Sequence, residues 1–324
     1  MASARSWRTE HHTDGPVPAR RSDIFALNQV FSDAFTERYR RDGMIGVRVP
    51  NLNPVIWQYA MQDADGGALV WRDEREAIVA FNVVHRSGVE GWMGPLAVRP
   101  DSQGAGLGAE IVRAGVAWLQ QAEARVIGLE TMPRTMDNIG FYSGLGFLPG
   151  HLTITVTLDA AGSERAPLLL SQLGARERDD AMAECRALLD RIAPGYDYTR
   201  EIALTAELDL GDTVLLRDRG ELLGFALCHT VPLVEGRSRE ETRTLKVVLA
   251  RADRLPAMAR TLAEFARRSG TRRVALRAQT ADAEAYRALI RLGGRVRWTD
   301  LRMCLAGFGE PAMGNALVWS NWEI

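Results

Sequence analysis

A chain of 324 residues is long for a single hydrophobic core, so two domains are expected; 46% hydrophobic and 25% charged residues fit a soluble globular protein. The formal net charge of −1 supplies no global field to gather nucleic acid or polycations, and no stretch approaches the roughly 20 apolar residues that span a bilayer. Three scattered cysteines, Cys185, Cys228 and Cys304, with no CxxC pair, fit buried thiols in a reducing compartment and argue against structural zinc. The expectation is a cytoplasmic protein with no metal, no membrane and no nucleic-acid partner.

Residues 1–20 read as a flexible leader. It carries His11-His12, read as a solvated pair with no third ligand nearby, and has no apolar core like that of a signal peptide. From Ser22 apolar residues recur at helical spacing (Ile24, Leu27, Val30, Phe31, Ala34, Phe35), and Ile56 to Met61 begins a second helix. Ala68–Trp71 and Ala77–His85 alternate as strands around a charged turn, and Val89–Val98 follows as a third strand. A glycine-rich loop then opens a helix over about 106–122. Strand Val126–Thr131, helix Asp137–Gly144 and strand Thr153–Leu158 complete this part. The mixed order predicts an α/β domain over 21–160 with a central sheet.

Ala160 to Arg165 reads as a linker, after which the same order returns over 165–305. Helices are expected over 176–192, 256–268 and 283–292. Strands are expected near 213–217, 222–229, 244–249, 274–278 and 297–305. Two tandem domains of one fold follow, with an aromatic tail, 306–324. Trp319 and Trp322 make that tail too apolar for a solvated end, so it is expected to pack on the first domain or on a partner chain.

The strongest chemical signal is Leu96-Ala97-Val98-Arg99-Pro100-Asp101-Ser102-Gln103-Gly104-Ala105-Gly106-Leu107-Gly108, where a strand ends and three glycines lead into a helix. Glycine lets the backbone approach a ligand closely, and a helix N terminus offers unpaired N–H groups and the positive end of its dipole. Together they suit a pyrophosphate. The loop is neither a Rossmann fingerprint nor a P-loop, because the later acidic residue and the Lys-Ser/Thr pair are missing.

This loop resembles the pyrophosphate motif of the GCN5-related N-acetyltransferase (GNAT) family, Gln/Arg-x-x-Gly-x-Gly/Ala, at Gln103, Gly106 and Gly108. Asn138-Ile139-Gly140-Phe141-Tyr142-Ser143-Gly144-Leu145-Gly146-Phe147 resembles the family's second signature, with one residue fewer before the terminal Gly-Phe than in some members. The resemblance covers residues 22–158 well and 165–305 in outline. It implies acetyl-CoA as acyl donor and a mostly antiparallel sheet with a splayed strand pair. It also implies direct transfer to an amine in a ternary complex. The backbone of Leu96, Ala97 and Val98 would meet the cofactor, with the Leu96 N–H at the thioester carbonyl, a contact of about 3–4 kcal/mol in well-studied acyl-transfer sites. The loop Gln103, Gly104, Ala105, Gly106, Leu107 and Gly108 would hold the pyrophosphate. Asn138 would bond the cofactor arm, and Tyr142 would protonate the departing thiolate.

An amine of pKa ~10.4 is only about 0.04% neutral at pH 7, a deficit of ~4.6 kcal/mol, so a base is expected. Glu90 leads, because alternation places it on the face of Trp92, Gly94 and Leu96; His85 and Glu130 are the other candidates. Each has a plain alternative as a solvated strand-end residue, and Tyr142 has one as a core aromatic beside Phe141 and Phe147. Phe31, Phe35, Tyr39, Arg40 and Arg41 are candidates for the acceptor wall, where core packing explains the two phenylalanines equally well.

The second half lacks this chemistry. Its loop reads Leu249-Ala250-Arg251-Ala252-Asp253-Arg254-Leu255-Pro256, with no glycine between Gly236 and Gly270, and Leu289 falls at the tyrosine position. A degenerate repeat without acetyl-CoA is expected. The partner is then a small-molecule or peptide amine, and the protein a monomer or homodimer. The alternatives are a non-catalytic acyl-CoA-binding or regulatory module, or an acyltransferase with a longer donor or a thiol or hydroxyl acceptor.

Overall fold

The computed structural model describes residues 13–163 and 166–322; His11-His12 lie outside them. The first half runs β1 (Asp14–Pro18), α1 (Ile24–Arg41), α2 (Pro54–Asp63), β2 (Ala68–Arg72), β3 (Ile78–Ser87), β4 (Glu90–Val98), α3 (Leu107–Gln121), β5 (Val126–Thr131), α4 (Met136–Gly144) and β6 (Phe147–Asp159). The second runs β7 (Leu168–Leu169), α5 (Ala175–Ile192), α6 (Thr199–Glu207), β8 (Gly211–Asp218), β9 (Glu221–His229), β10 (Glu241–Leu249), α7 (Leu255–Arg268), β11 (Arg273–Gln279), α8 (Ala283–Arg291), β12 (Arg295–Leu305) and β13 (Leu317–Ser320).

Local chemistry fixes several of these elements. Asn53 caps α2 by accepting the Val55 N–H at 3.2 Å, and Pro54 opens its first turn. β3 is buried on both faces because helices cover both. Ile78, Phe81 and Val83 pack with Leu27 and Phe31 of α1 and Trp57 of α2, while Val79, Ala80 and Val84 pack with Ile111, Val112 and Leu119 of α3.

The strands form one mixed sheet in the order β1-β2-β3-β4-β5-β12-β6-β11-β10-β9-β8-β7, with β13 on β10. Among the described residues only β4/β5 and β10/β11 pair in parallel. The halves exchange their ends. β12, from the second half, lies between β5 and β6 of the first, and β6 pairs with β11 of the second. Neither half closes its own sheet, so the boundaries expected at 160 and 165 mark chain order and not two separate sheets. A shared core reinforces the join: Ala181, Cys185 and Leu189 of α5 and Ile202 of α6 pack in one cluster with Ile56 and Tyr59 of α2 and Trp92 of β4.

Two terminal expectations are corrected. The flexible leader is not flexible to residue 20, because Asp14–Pro18 pair with β2 as an edge strand, where proline is tolerated. The aromatic tail does more than pack on the first half. Phe308 O accepts the Ile127 N–H at 3.1 Å and Ser320 Oγ donates to Glu90, but Leu317–Ser320 also add to β10 of the second half, Lys246 facing Ser320 and Leu249 facing Leu317.

Candidate active site

The site is built where β4 leaves β5. The two strands pair from Glu90↔Val126 to Met93↔Leu129, whereas β5 stays paired with β12 on its other edge from Gly128 to Thr131, so that β4 has left it at Glu130 and Thr131. On the other side β4 stays on β3, but Asn82 faces Leu96 while Val84 faces Met93, so β4 carries one extra residue at Gly94-Pro95. Such a bulge bends a strand and ends its pairing. Gly94 adopts φ +143°, which a side chain would resist.

Alternation then decides which backbone groups are open. Arg99 N–H donates to Val79 O on β3, so Ala97, two residues earlier, also faces β3, and the polar groups of Leu96 and Val98 turn to the split. The Val98 carbonyl accepts the Gln103 Nε2 at 2.9 Å, tying the strand end to the loop. Ala97 therefore does not present its N–H or C=O to the cofactor side as expected.

A cavity of about 420 Å³ fills the split. It is lined by Met93–Val98 on one side, Glu130–Met132 on the other, and by Gln103, Gly108, Asn138, Phe141 and Tyr142. Gly104 and Gly106 take φ +86° and +90° with open space where a Cβ would stand, so the loop needs them for its turn. Ala105 is exposed, and Leu107 turns its side chain into the core. Asn138 Nδ2 donates to Thr131 Oγ1 at 3.4 Å. Tyr142 is buried, and burial pushes its hydroxyl pKa up, which keeps the proton on.

A second cavity of about 400 Å³ shares Phe35, Met93, Gly94, Pro95, Glu130 and Asp300 with the first. Phe31 and Tyr39 of α1, Trp92, Trp298 and Trp322 give it aromatic walls, and His85 and Arg277 add polar ones. Of the five residues expected at the acceptor wall, Phe31, Phe35 and Tyr39 line this cavity. Arg41 lines the first, and Arg40 lines neither, being paired with Glu37 at 2.7 Å.

Glu90 does not fit the role of base expected for it. It sits where β4 and β5 are still paired, and the bulge breaks the alternation that aligned it with Leu96. Its carboxylate is buried away from both cavities, accepting from Trp92 Nε1 at 3.0 Å, Tyr198 OH at 3.0 Å and Ser320 Oγ at 2.9 Å. Burial holds its pKa above the usual carboxylate range, against the pull of Lys246 and Arg302. His85 reaches the second cavity, but its nitrogens face the Asp63 carboxylate at 2.9 Å and the Gly94 carbonyl at 3.1 Å. It braces the bulge. Glu130 touches both cavities and is bound by Arg302 at 3.0 Å, by Thr153 Oγ1 at 2.6 Å and by Arg277. Burial raises its pKa, but the two guanidiniums more than offset this and leave it low.

The second half contains the same split, and the chain itself fills it. β10 and β11 pair only from Glu241↔Arg273 to Thr244↔Leu276, and beyond that point β13 takes the open side of β10. Asn321 and Gln279 side chains bond β13 and β11 together, and Trp319 Nε1 donates to Asp282 at 2.9 Å. The loop after β10 has no glycine, and Asp253 stands there, paired to Arg251.

Residues 26–147 match the model of the Acetyltransferase (GNAT) family. This segment is a GNAT domain. The family implies acyl-CoA-dependent N-acyl transfer, and the split strands, glycine loop and Tyr142 all fall within the matched residues. No curated protein matches the chain. Among solved structures, a Pyrococcus horikoshii protein provisionally assigned as an acetyltransferase is 14% identical with TM-score 0.66, over 98% of this chain and 96% of that one. A tandem GNAT protein from the clavulanic acid biosynthesis pathway is 10% identical with TM-score 0.56, over 91% and 98%. The Saccharomyces cerevisiae N-myristoyltransferase with bound myristoyl-CoA is 10% identical with TM-score 0.59, over 94% and 80%. At these identities the likeness shows the fold. Among the described residues no helix is long and apolar enough to cross a membrane, and no His/Cys/Asp/Glu group is placed to hold a metal.

Sequence reasoning missed Asp300, Arg277 and Trp298, and took Trp322 for tail packing without a place in the site. All four come from the second half, and the strand exchange or the tail brings them to the GNAT domain.

Proposed function

We propose that this chain transfers an acetyl group from acetyl-CoA to a primary amine by direct attack in a ternary complex. The observation that carries the reading is the meeting of the two cavities at Gly94-Pro95, beside the Leu96 backbone and the Val98 N–H on the side of β4 turned from β3. The donor lies along β4 in the first cavity, its pyrophosphate at Gln103–Gly108 and the N terminus of α3. The Leu96 N–H meets the thioester oxygen as negative charge develops there. Val98 and Asn138 hold the pantetheine arm. The amine enters from the second cavity, and Tyr142 gives its proton to the sulfur. Burial supports that role, since a phenol with a raised pKa stays protonated until a thiolate forms.

The test is thiol release from acetyl-CoA with a panel of amines. Amine-dependent release is expected, falling about 10²-fold in Tyr142→Phe. Acetyl-CoA binding with no release from any amine would leave a binding module, and a fully active Tyr142→Phe would remove the acid.

A further inference from the structure

We infer that Asp300, carried into the GNAT domain by the exchanged strand β12, is the general base, and that the acceptor it serves is a single primary alkylamine on an aromatic or bulky apolar body. This rests on the transfer reading above and names its base and acceptor class.

Asp300 is the carboxylate placed for this step. With Glu130 it belongs to both cavities, so it borders the junction where an amine must meet the thioester. Both side chains are partly exposed, but Glu130 is held by two guanidiniums and a hydroxyl, whereas among the described residues Asp300 accepts from Trp298 Nε1 and one guanidinium, Arg277 Nη2, each at 3.0 Å. The groups facing it are Arg277 from β11, Glu130 from β5 and Tyr39 from α1, with Arg134 beyond, 5.8 Å from the Tyr39 ring centre and 5.7 Å from that of Trp298. Burial raises the Asp300 pKa to about 6, with Glu130 adding to the rise and Arg277 opposing it. A carboxylate titrating there is ionised at neutral pH and still a useful proton acceptor.

The walls give the acceptor class. Phe35, Tyr39, Trp298, Trp92 and Trp322 offer aromatic faces to an apolar body, and an ammonium beside such rings is attracted to them. The other carboxylate of that cavity, Glu130, is already held by Arg277 and Arg302, and Arg134 lies against the Tyr39 and Trp298 rings, so a second or third cationic group on the acceptor meets no unneutralised carboxylate among the lining residues, which disfavours polyamines and aminoglycosides.

The step balances as follows. The Asp300 carboxylate takes one proton from R–NH3+ and passes it to water through the cavity. The freed lone pair forms the C–N bond, the carbonyl electron pair moves to oxygen and returns, and the C–S bond breaks. The sulfur takes the Tyr142 proton, and the second proton lost by nitrogen restores Tyr142 through water. Acetyl-CoA and the ammonium become the amide, coenzyme A and one released proton.

The experiment compares the full chain with Asp300→Asn, which retains an oxygen to accept Trp298 Nε1, across pH 5 to 9, with 2-phenylethylamine, spermidine and kanamycin as probes. Expected is thiol release with 2-phenylethylamine at least about ten-fold above the two polycations in kcat/KM. In Asp300→Asn that value falls about 10²-fold. The rise of rate through pH 6 disappears, and acetyl-CoA affinity is unchanged. Activity with an unaltered pH profile in Asp300→Asn overturns the base while leaving the transferase reading intact. Preference for the polycations overturns the acceptor class. Acetyl-CoA binding without release from any amine overturns both this inference and the transfer reading, and loss of acetyl-CoA binding in Asp300→Asn overturns a role confined to the acceptor.

Discussion

Replacing Trp319 by alanine probes the tail as part of the second half's sheet. The indole is almost fully buried, packed in the cluster that holds Leu255, Met258 and Leu262 of α7 and Leu289 of α8, and it donates to Asp282 at 2.9 Å. Truncating a buried tryptophan costs roughly 3–5 kcal/mol through lost transfer energy and the cavity left behind. Loss of the hydrogen bond leaves Asp282 short of a donor, about 1 kcal/mol more. Its pKa, already raised by burial, would rise further. The expected loss is therefore about 4–6 kcal/mol, read by urea unfolding from the shift in midpoint. Because β13 sits in the second half's split and the proposed donor site in the first, the increment in melting temperature from saturating acetyl-CoA is expected to survive. A loss below about 1 kcal/mol would mean that the tail is a surface appendage and that the second split is not filled by it.

Three further outcomes follow from named contacts. Gly106→Ala forces a Cβ into φ +90°, costing about 1–2 kcal/mol of stability and weakening acetyl-CoA binding, measurable by calorimetry. Trp322→Ala removes a wall of the second cavity and the ring 4.1 Å from Lys246 Nζ, so KM for the amine rises while KM for acetyl-CoA stays constant in steady-state kinetics. Glu201 has its pKa raised to about 7, by burial first and by Asp63 next, against Lys246 and the Ser87 hydroxyl. A carboxylate with a raised folded pKa contributes most below its ordinary value and loses that contribution as pH climbs. Stability should thus fall from about pH 4.5 to about pH 7, and Glu201→Gln should flatten that stretch in urea unfolding; an unchanged slope would exclude the group.

Much of the GNAT domain was legible because its signals are local. β3, β4, α3 and β5 declare themselves by period, and the glycines by the left-handed turn they serve. What stayed hidden depends on pairing between distant segments. β6 and β12 each end a half with a similar alternating pattern, and nothing in either says which neighbour it will join, so the exchange that brings Asp300 and Trp298 to the site is invisible in sequence. Glu90 was misplaced because a one-residue bulge at Gly94-Pro95 shifts the alternation on which its facing was argued. β1 and β13 are short, one rich in proline and the other in bulky residues, and each takes strand form only against its partner.

The most direct measurement is the stoichiometry of acetyl-CoA binding to the full chain by titration calorimetry. The GNAT domain has an open split and a glycine loop, while the second half has its split filled by β13 and no glycine where the pyrophosphate would lie. One acetyl-CoA per chain is predicted, with affinity lowered by Gly106→Ala. Two per chain, or one that is indifferent to Gly106, would contradict the account.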